Sequence, residues 1–200
     1  MRNAPGPKTG KHGFAIREAV ACALCTAVIC VLAPVSVPIG PVPISLATFA
    51  ILFSAMLLGP RWGTVSVAVY LLIGMTGIPV FAGYSAGIAK LAGPTGGYLI
   101  GYIPMALIAG AVYAGFGKNE KGMRKILAIL GGAVLGTVVL YALGTFWFCI
   151  ESGNHFKAAL GICVLPFLPG DAIKTAALAV IIPSLETALS KSGAWTMSFQ

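Results

Sequence analysis

The sequence predicts an all-α integral membrane protein of six transmembrane helices, and three observations carry that expectation. Of its 200 residues, 58% are hydrophobic and 9% charged, against roughly a quarter charged in an ordinary soluble domain. The apolar residues come in runs suited to crossing a hydrocarbon core of about 30 Å, which takes about 20 residues per helix. The Lys and Arg residues collect between alternate runs, the pattern that fixes orientation because translocating them is disfavoured.

The net charge of +8 does not point to nucleic acid, because the bases form neither one face nor one long run. Cys22, Cys25, Cys30, Cys149 and Cys163 are an odd set, lying mostly in apolar stretches where a thiol packs as a small hydrophobe. The Cys22–Cys25 CxxC has no second pair and no nearby His, so zinc is not expected.

Taken in order, residues 1–14 (MRNAPGPKTGKHGF) read as a disordered basic tail on the cytoplasmic side. The six-helix domain is expected over 15–191, and 192–200 as a second cytoplasmic tail. A first span covers about residues 15–33; it continues without a cleavage motif, so it is retained. PVSVPIGPVPISL then carries four prolines and no charge. It cannot be helical, and its alternating apolar positions suit an extended loop or a short hairpin. A short second span (about 46–58) turns through GPRWG into a third (about 63–78), Arg61 marking that turn as cytoplasmic.

The Gly-rich passage PVFAGYSAGIAKLAGPTGG follows, with one charge, Lys90, and two aromatics, Phe81 and Tyr84. A long irregular loop in so small a protein usually has a function. A fourth span (about 98–116) leads to GKNEKGMRK, where Lys118, Lys121, Arg124 and Lys125 make the strongest cytoplasmic marker. A fifth span (about 126–150), a loop with one short surface helix, and a sixth span from near Asp171 to near Leu189, kinked at Pro183, complete the chain. The cytoplasmic segments then hold ten bases, and the outer loops only Lys90 and Lys157. Both termini are inside, in the cell membrane.

Asp171 and Lys174 stand at i and i+3 on one face of the last helix. They could be an ion pair with an Asp favoured by the helix dipole. They could instead be a ligand site opening outward, which fits better the tendency of membrane charges to face a cavity. Together they match a group offering both N–H and C=O, such as a urea or amide. Lys90 would suit a carboxylate, or be a solvated loop lysine. GPTGGY (93–98) lacks the phosphate-loop spacing GxxxxGK[ST]; its glycines permit close approach and Tyr98 offers a ring and a hydroxyl, while Gly96 and Gly97 could equally serve a turn. Ala19, Ala23 and Ala27 form a small-residue stripe for a partner helix or for internal packing. His12, His155 and the scattered acids form no metal cluster and no catalytic set.

GPVPISLATFAILFSAMLLGPRWG, GIPVFAG with LAGPTGGYLIGY, and VLPFLPGDAIKTAAL together resemble the BioY family, the biotin-specific substrate-binding subunits of energy-coupling factor (ECF) transporters, over about residues 15–190. The resemblance implies an S-component bundle that binds biotin from outside and docks on a membrane coupling protein driven by two cytosolic ATPases. It needs no cofactor and is not an enzyme. It also implies that Asp171 and Lys174 bind ligand, that the loop including Thr95, Gly96 and Tyr98 helps close the site, and that Ala19, Ala23 and Ala27 contact the coupling protein. Phe81 and Tyr84 join the expected ligand set. Gly83 stands where many members place a polar residue, so that contact is absent or falls to Tyr84. A subunit for another vitamin, a small channel and a membrane enzyme are the alternatives.

Overall fold

The structure is a computed structural model; it describes residues 11–38, 42–153 and 155–191, with residues 11–15 and 191 by backbone alone. Most of the expected terminal tails, residues 1–10 and 192–200, lies outside the described residues. The first helix, α1 (Lys11–Leu32), starts earlier than the apolar run suggests. The Pro-rich segment forms a two-strand hairpin, β1 (Ser36–Val37) antiparallel to β2 (Ile44–Ser45). Prolines that forbid a helix leave this extended pairing as the outlet for the backbone's polar groups.

The second and third spans are one run, α2 (Ala47–Met75), broken at Gly59. Gly59 has φ 79° and ψ 177°, a conformation open essentially to glycine alone. Pro60 then begins the second arm, at a position where a missing N–H costs nothing. A Cβ on Gly63 would sit 2.5 Å from the Ala55 Cα, whereas residues eight apart in a straight helix are about 12 Å apart. The arms therefore fold back on each other.

The Gly-rich passage holds a 3₁₀ turn (Ala82–Tyr84) and the short helix α3 (Ala89–Ala92), which carries Lys90. Next come α4 (Gly96–Phe116), α5 (Met123–Ser152), the surface helix α6 (Phe156–Cys163) and α7 (Leu168–Lys191). α7 starts before the expected position near Asp171, and it runs through Pro183 with no break in the helix. Counting the two arms of α2, there are six long helical segments among the described residues. Among the described residues, α2, α4, α5 and α7 are long and apolar enough to cross a membrane.

The core lies where α4 packs between α2 and α5, around Ile51, Met105, Ala109, Ile129 and Leu140. Small residues set the spacing: a Cβ on Gly132 or Gly136 would come within 3.0 Å of a carbonyl oxygen of α4. With lipid on the outside there is little hydrophobic gain from helix association, so such close backbone approach is what holds these helices together. α1 packs on α2 through Cys22, Cys25 and Leu58, and the Trp62 indole donates to Glu18 Oε2 at 2.9 Å.

Candidate functional site

Asp171 and Lys174 occupy the first two turns of α7 and meet three other elements there. Lys174 Nζ donates to Asp171 Oδ1 at 2.9 Å, to Thr48 Oγ1 at 3.0 Å and to the Ser45 carbonyl at 2.7 Å. All three ammonium protons are thus engaged. Asp171 also receives the Thr48 hydroxyl at 3.4 Å and a short hydrogen bond from the Tyr141 hydroxyl. The two side chains are 12% and 11% exposed, which makes this a largely desolvated pair rather than a surface contact. The hairpin brings Ser45, the start of α2 brings Thr48, and the middle of α5 brings Tyr141.

This cluster is one wall of a cavity. The rest of the lining includes Tyr98, Leu99 and Tyr102 of α4, and Phe81 and Ser85 of the loop after α2. Phe81 is buried edge-on against Tyr70, ring centroids 5.6 Å apart, and its ring occupies the space where a side chain on Gly74 would stand. Tyr141 and Phe167 meet edge to face at 6.3 Å on the α5–α7 side. Lys90 and Thr95 also line the cavity, and Lys90 is exposed.

Six of the eight residues expected at a ligand site therefore line one cavity: Asp171, Lys174, Lys90, Tyr98, Thr95 and Phe81. Tyr84 does not. It has φ 56° and is 69% exposed, turned out from the loop. Gly96 is buried in packing: a Cβ there would lie 1.8 Å from the Leu91 carbonyl oxygen, and one on Gly97 would lie 2.2 Å from the Trp147 Cβ. The Trp147 indole donates to the Gly93 carbonyl at 3.0 Å. The two glycines thus let α4 start against Trp147, and Trp147 ties the preceding loop down. The Tyr98 hydroxyl is committed to the Cys163 carbonyl at 3.1 Å, joining α4 to the end of α6.

Sequence reasoning missed Ser45, Thr48, Tyr70, Tyr102, Tyr141 and Phe167. Tyr141 carries a faint signal, a phenol in the middle of an apolar span. The hydroxyl partners of Asp171 lie 30 and 123 residues away, so no local spacing reveals them. The alanine stripe is exposed: Ala19, Ala23 and Ala27 lie on the side of α1 turned away from α2. Among the described residues no group of His, Cys, Asp and Glu could hold a metal.

An arrangement of one carboxylate, two ammonium groups and several phenols around a mostly apolar cavity suits a small ring system with its own donors and acceptors and an anionic group. The sequence matches the family described as BioY over residues 6–191. It is 38% identical over 170 residues to the "Probable biotin transporter BioY" of Pyrococcus horikoshii, covering 85% of this chain and 96% of that one. To the "Biotin transporter BioY" of Thermotoga maritima it is 37% identical, covering 83% and 94%. The fold matches the crystal structure of the S-component for biotin from an ECF-type ABC transporter with a TM-score of 0.80, at 29% identity over 90% of this chain and 95% of that one.

Proposed function

The chain belongs to the BioY family, and from that premise we propose that it is the biotin-binding subunit of a biotin uptake system in the cell membrane, a transport component and not an enzyme. The observation that carries this reading is the Asp171–Lys174 pair set into the wall of an aromatic cavity. A carboxylate has about four acceptor sites. Asp171 uses three, on Lys174, Thr48 and Tyr141, so it can take one ureido N–H without losing a partner. Lys174 has no spare donor, so a ureido C=O binds only by displacing Thr48 or the Ser45 carbonyl. Thr48 is held by Lys174 at 3.0 Å, against 2.7 Å for the Ser45 carbonyl, and reaches Asp171 only at 3.4 Å, which makes Thr48 the partner that gives way. Lys90, exposed at the cavity, meets the valerate carboxylate.

The positive-inside pattern puts this cavity on the outer face and both termini in the cytoplasm. On this reading the energy for uptake comes from a coupling protein and two cytosolic ATPases, as the resemblance to the S-components of ECF transporters implies. The exposed Ala19, Ala23 and Ala27 supply the docking stripe, since small residues let a partner helix approach closely. Mass spectrometry of the protein purified natively, without added vitamin, tests the ligand. Biotin carried through purification is the expected result; a different bound molecule, with no response to added biotin, refutes the reading.

A further inference from the structure

α7 carries the ligand pair, yet it is the least embedded of the long helices. In its most apolar stretch 11% of the residues are buried, against 39–44% in α2, α4 and α5. Ile173 and Val180 are 71% and 68% exposed, while Leu178 and Ile182 are fully buried. A helix with so little packed surface needs other restraints to keep its rotation and depth.

Two polar clusters supply them, one at each end. The first is the Asp171–Lys174 cluster. The second lies 15 residues further on, about 22 Å along the axis. There Glu186 accepts from the Tyr113 hydroxyl of α4 at 2.8 Å and makes a short ion pair with Lys125 of α5. The Lys125 and Glu186 side chains are 14% and 19% exposed, and Tyr113 is 1% exposed. Lys118 lies near the same carboxylate; burial pulls its ammonium below the ordinary lysine value and Glu186 partly offsets that. Lys125, which the sequence assigns to the topology-setting bases, is held in a largely desolvated pair.

Asp171, Lys174, Leu178, Ile182 and Glu186 follow steps of three and four, so they form one stripe on α7. The helix is continuous between them. Fixing Glu186 therefore fixes where that stripe points. A slip of one residue moves the stripe about 1.5 Å along the axis and turns it about 100°, enough to remove Asp171 and Lys174 from Thr48 and Tyr141. A pair of this kind adds little net stability, since its desolvation cost is similar to its Coulomb gain, so geometric specificity is the role left to it.

We propose that Glu186, Lys125 and Tyr113 are positioning residues for the ligand site, setting the register of α7 from the end opposite the cavity. The proposal rests on the reading of the cavity as a biotin site only for its second readout. The first needs no ligand: hydrogen exchange in the full-length, ligand-free protein. Glu186→Gln keeps the acceptor for Tyr113 and removes the charge. It should speed exchange in the cavity-side half of α7 while α4 and α5 stay at the parental rate. Biotin affinity by calorimetry should fall about tenfold, equal to about 1.4 kcal/mol. Glu186→Asp, which keeps the charge and the acceptor, should change both less. If Glu186→Gln does not fold, Tyr113→Phe serves, with a smaller change in the same direction. Parental exchange at residues 168–178 in the folded variant overturns the proposal, as does uniform acceleration across all helices. Failure of the parent itself to bind biotin counts against the function instead and leaves the exchange result to decide this point.

Discussion

Asp171 accepts hydrogen bonds from three elements, α2, α5 and its own helix, so changes at its partners should be felt at the ligand. Lys174→Ala leaves a carboxylate partly buried without its counter-charge; breaking such a pair costs about 3–5 kcal/mol. That cost falls on folding; biotin also loses a charged donor, worth about 1.5–3 kcal/mol, so its affinity should fall about 10- to 100-fold. Tyr141→Phe removes one donor to a charged acceptor, worth about 1.5–3 kcal/mol, and should weaken binding about tenfold or more in a protein that still folds. Calorimetric titration in detergent checks both. Lys90 is a milder case: as an exposed cation it should matter for the biotin carboxylate and little for an analogue lacking that group. The charges were legible in the sequence because a charge in an apolar run stands out. Thr48 and Tyr141 were not, since hydroxyls are ordinary in membrane helices and only the fold brings them to Asp171. The pairing of Glu186 with Lys125 was hidden for the same reason. They are 61 positions apart, and each alone looks like a boundary charge.

The elements were legible where chemistry leaves one outcome. Four prolines exclude a helix between α1 and α2, and the chain there is a hairpin. The break in α2 was readable from GPRWG, and it falls at the first glycine of that motif, Gly59. Gly59→Ala should cost about 1–3 kcal/mol, the strain of a side chain at a glycine-only conformation. A lower melting temperature by scanning fluorimetry is the expected result, and an unchanged one would mean that the arms relax freely. The GPTGG segment was legible as special but not in its role. Its paired glycines make room for Trp147, a partner no local pattern announces. Trp147→Phe should loosen the segment through loss of the Gly93 hydrogen bond, seen as faster biotin dissociation in stopped flow. Tyr84 shows the reverse error: an aromatic in the loop looks like a ligand contact until its backbone turns it outward.

At the scale of the molecule, composition already points to a membrane, and the chain belongs to the BioY family. The proposed ligand and partner surfaces are separate: the cavity opens between α2, α4, α5 and α7, while the alanine stripe lies on the far side of α1. Ala23→Trp should therefore leave biotin affinity unchanged and abolish copurification with the coupling protein. Loss of both together would mean that the surfaces are not independent. The central claim is that this cavity binds biotin through the Asp171–Lys174 pair. Its most direct test is calorimetric titration of the purified protein with biotin, riboflavin and thiamine, in parallel with Asp171→Asn. The account predicts saturable binding of one biotin per chain, no binding of the other two, and severe loss in the variant; parental affinity in the variant, or a preference for another vitamin, would contradict it.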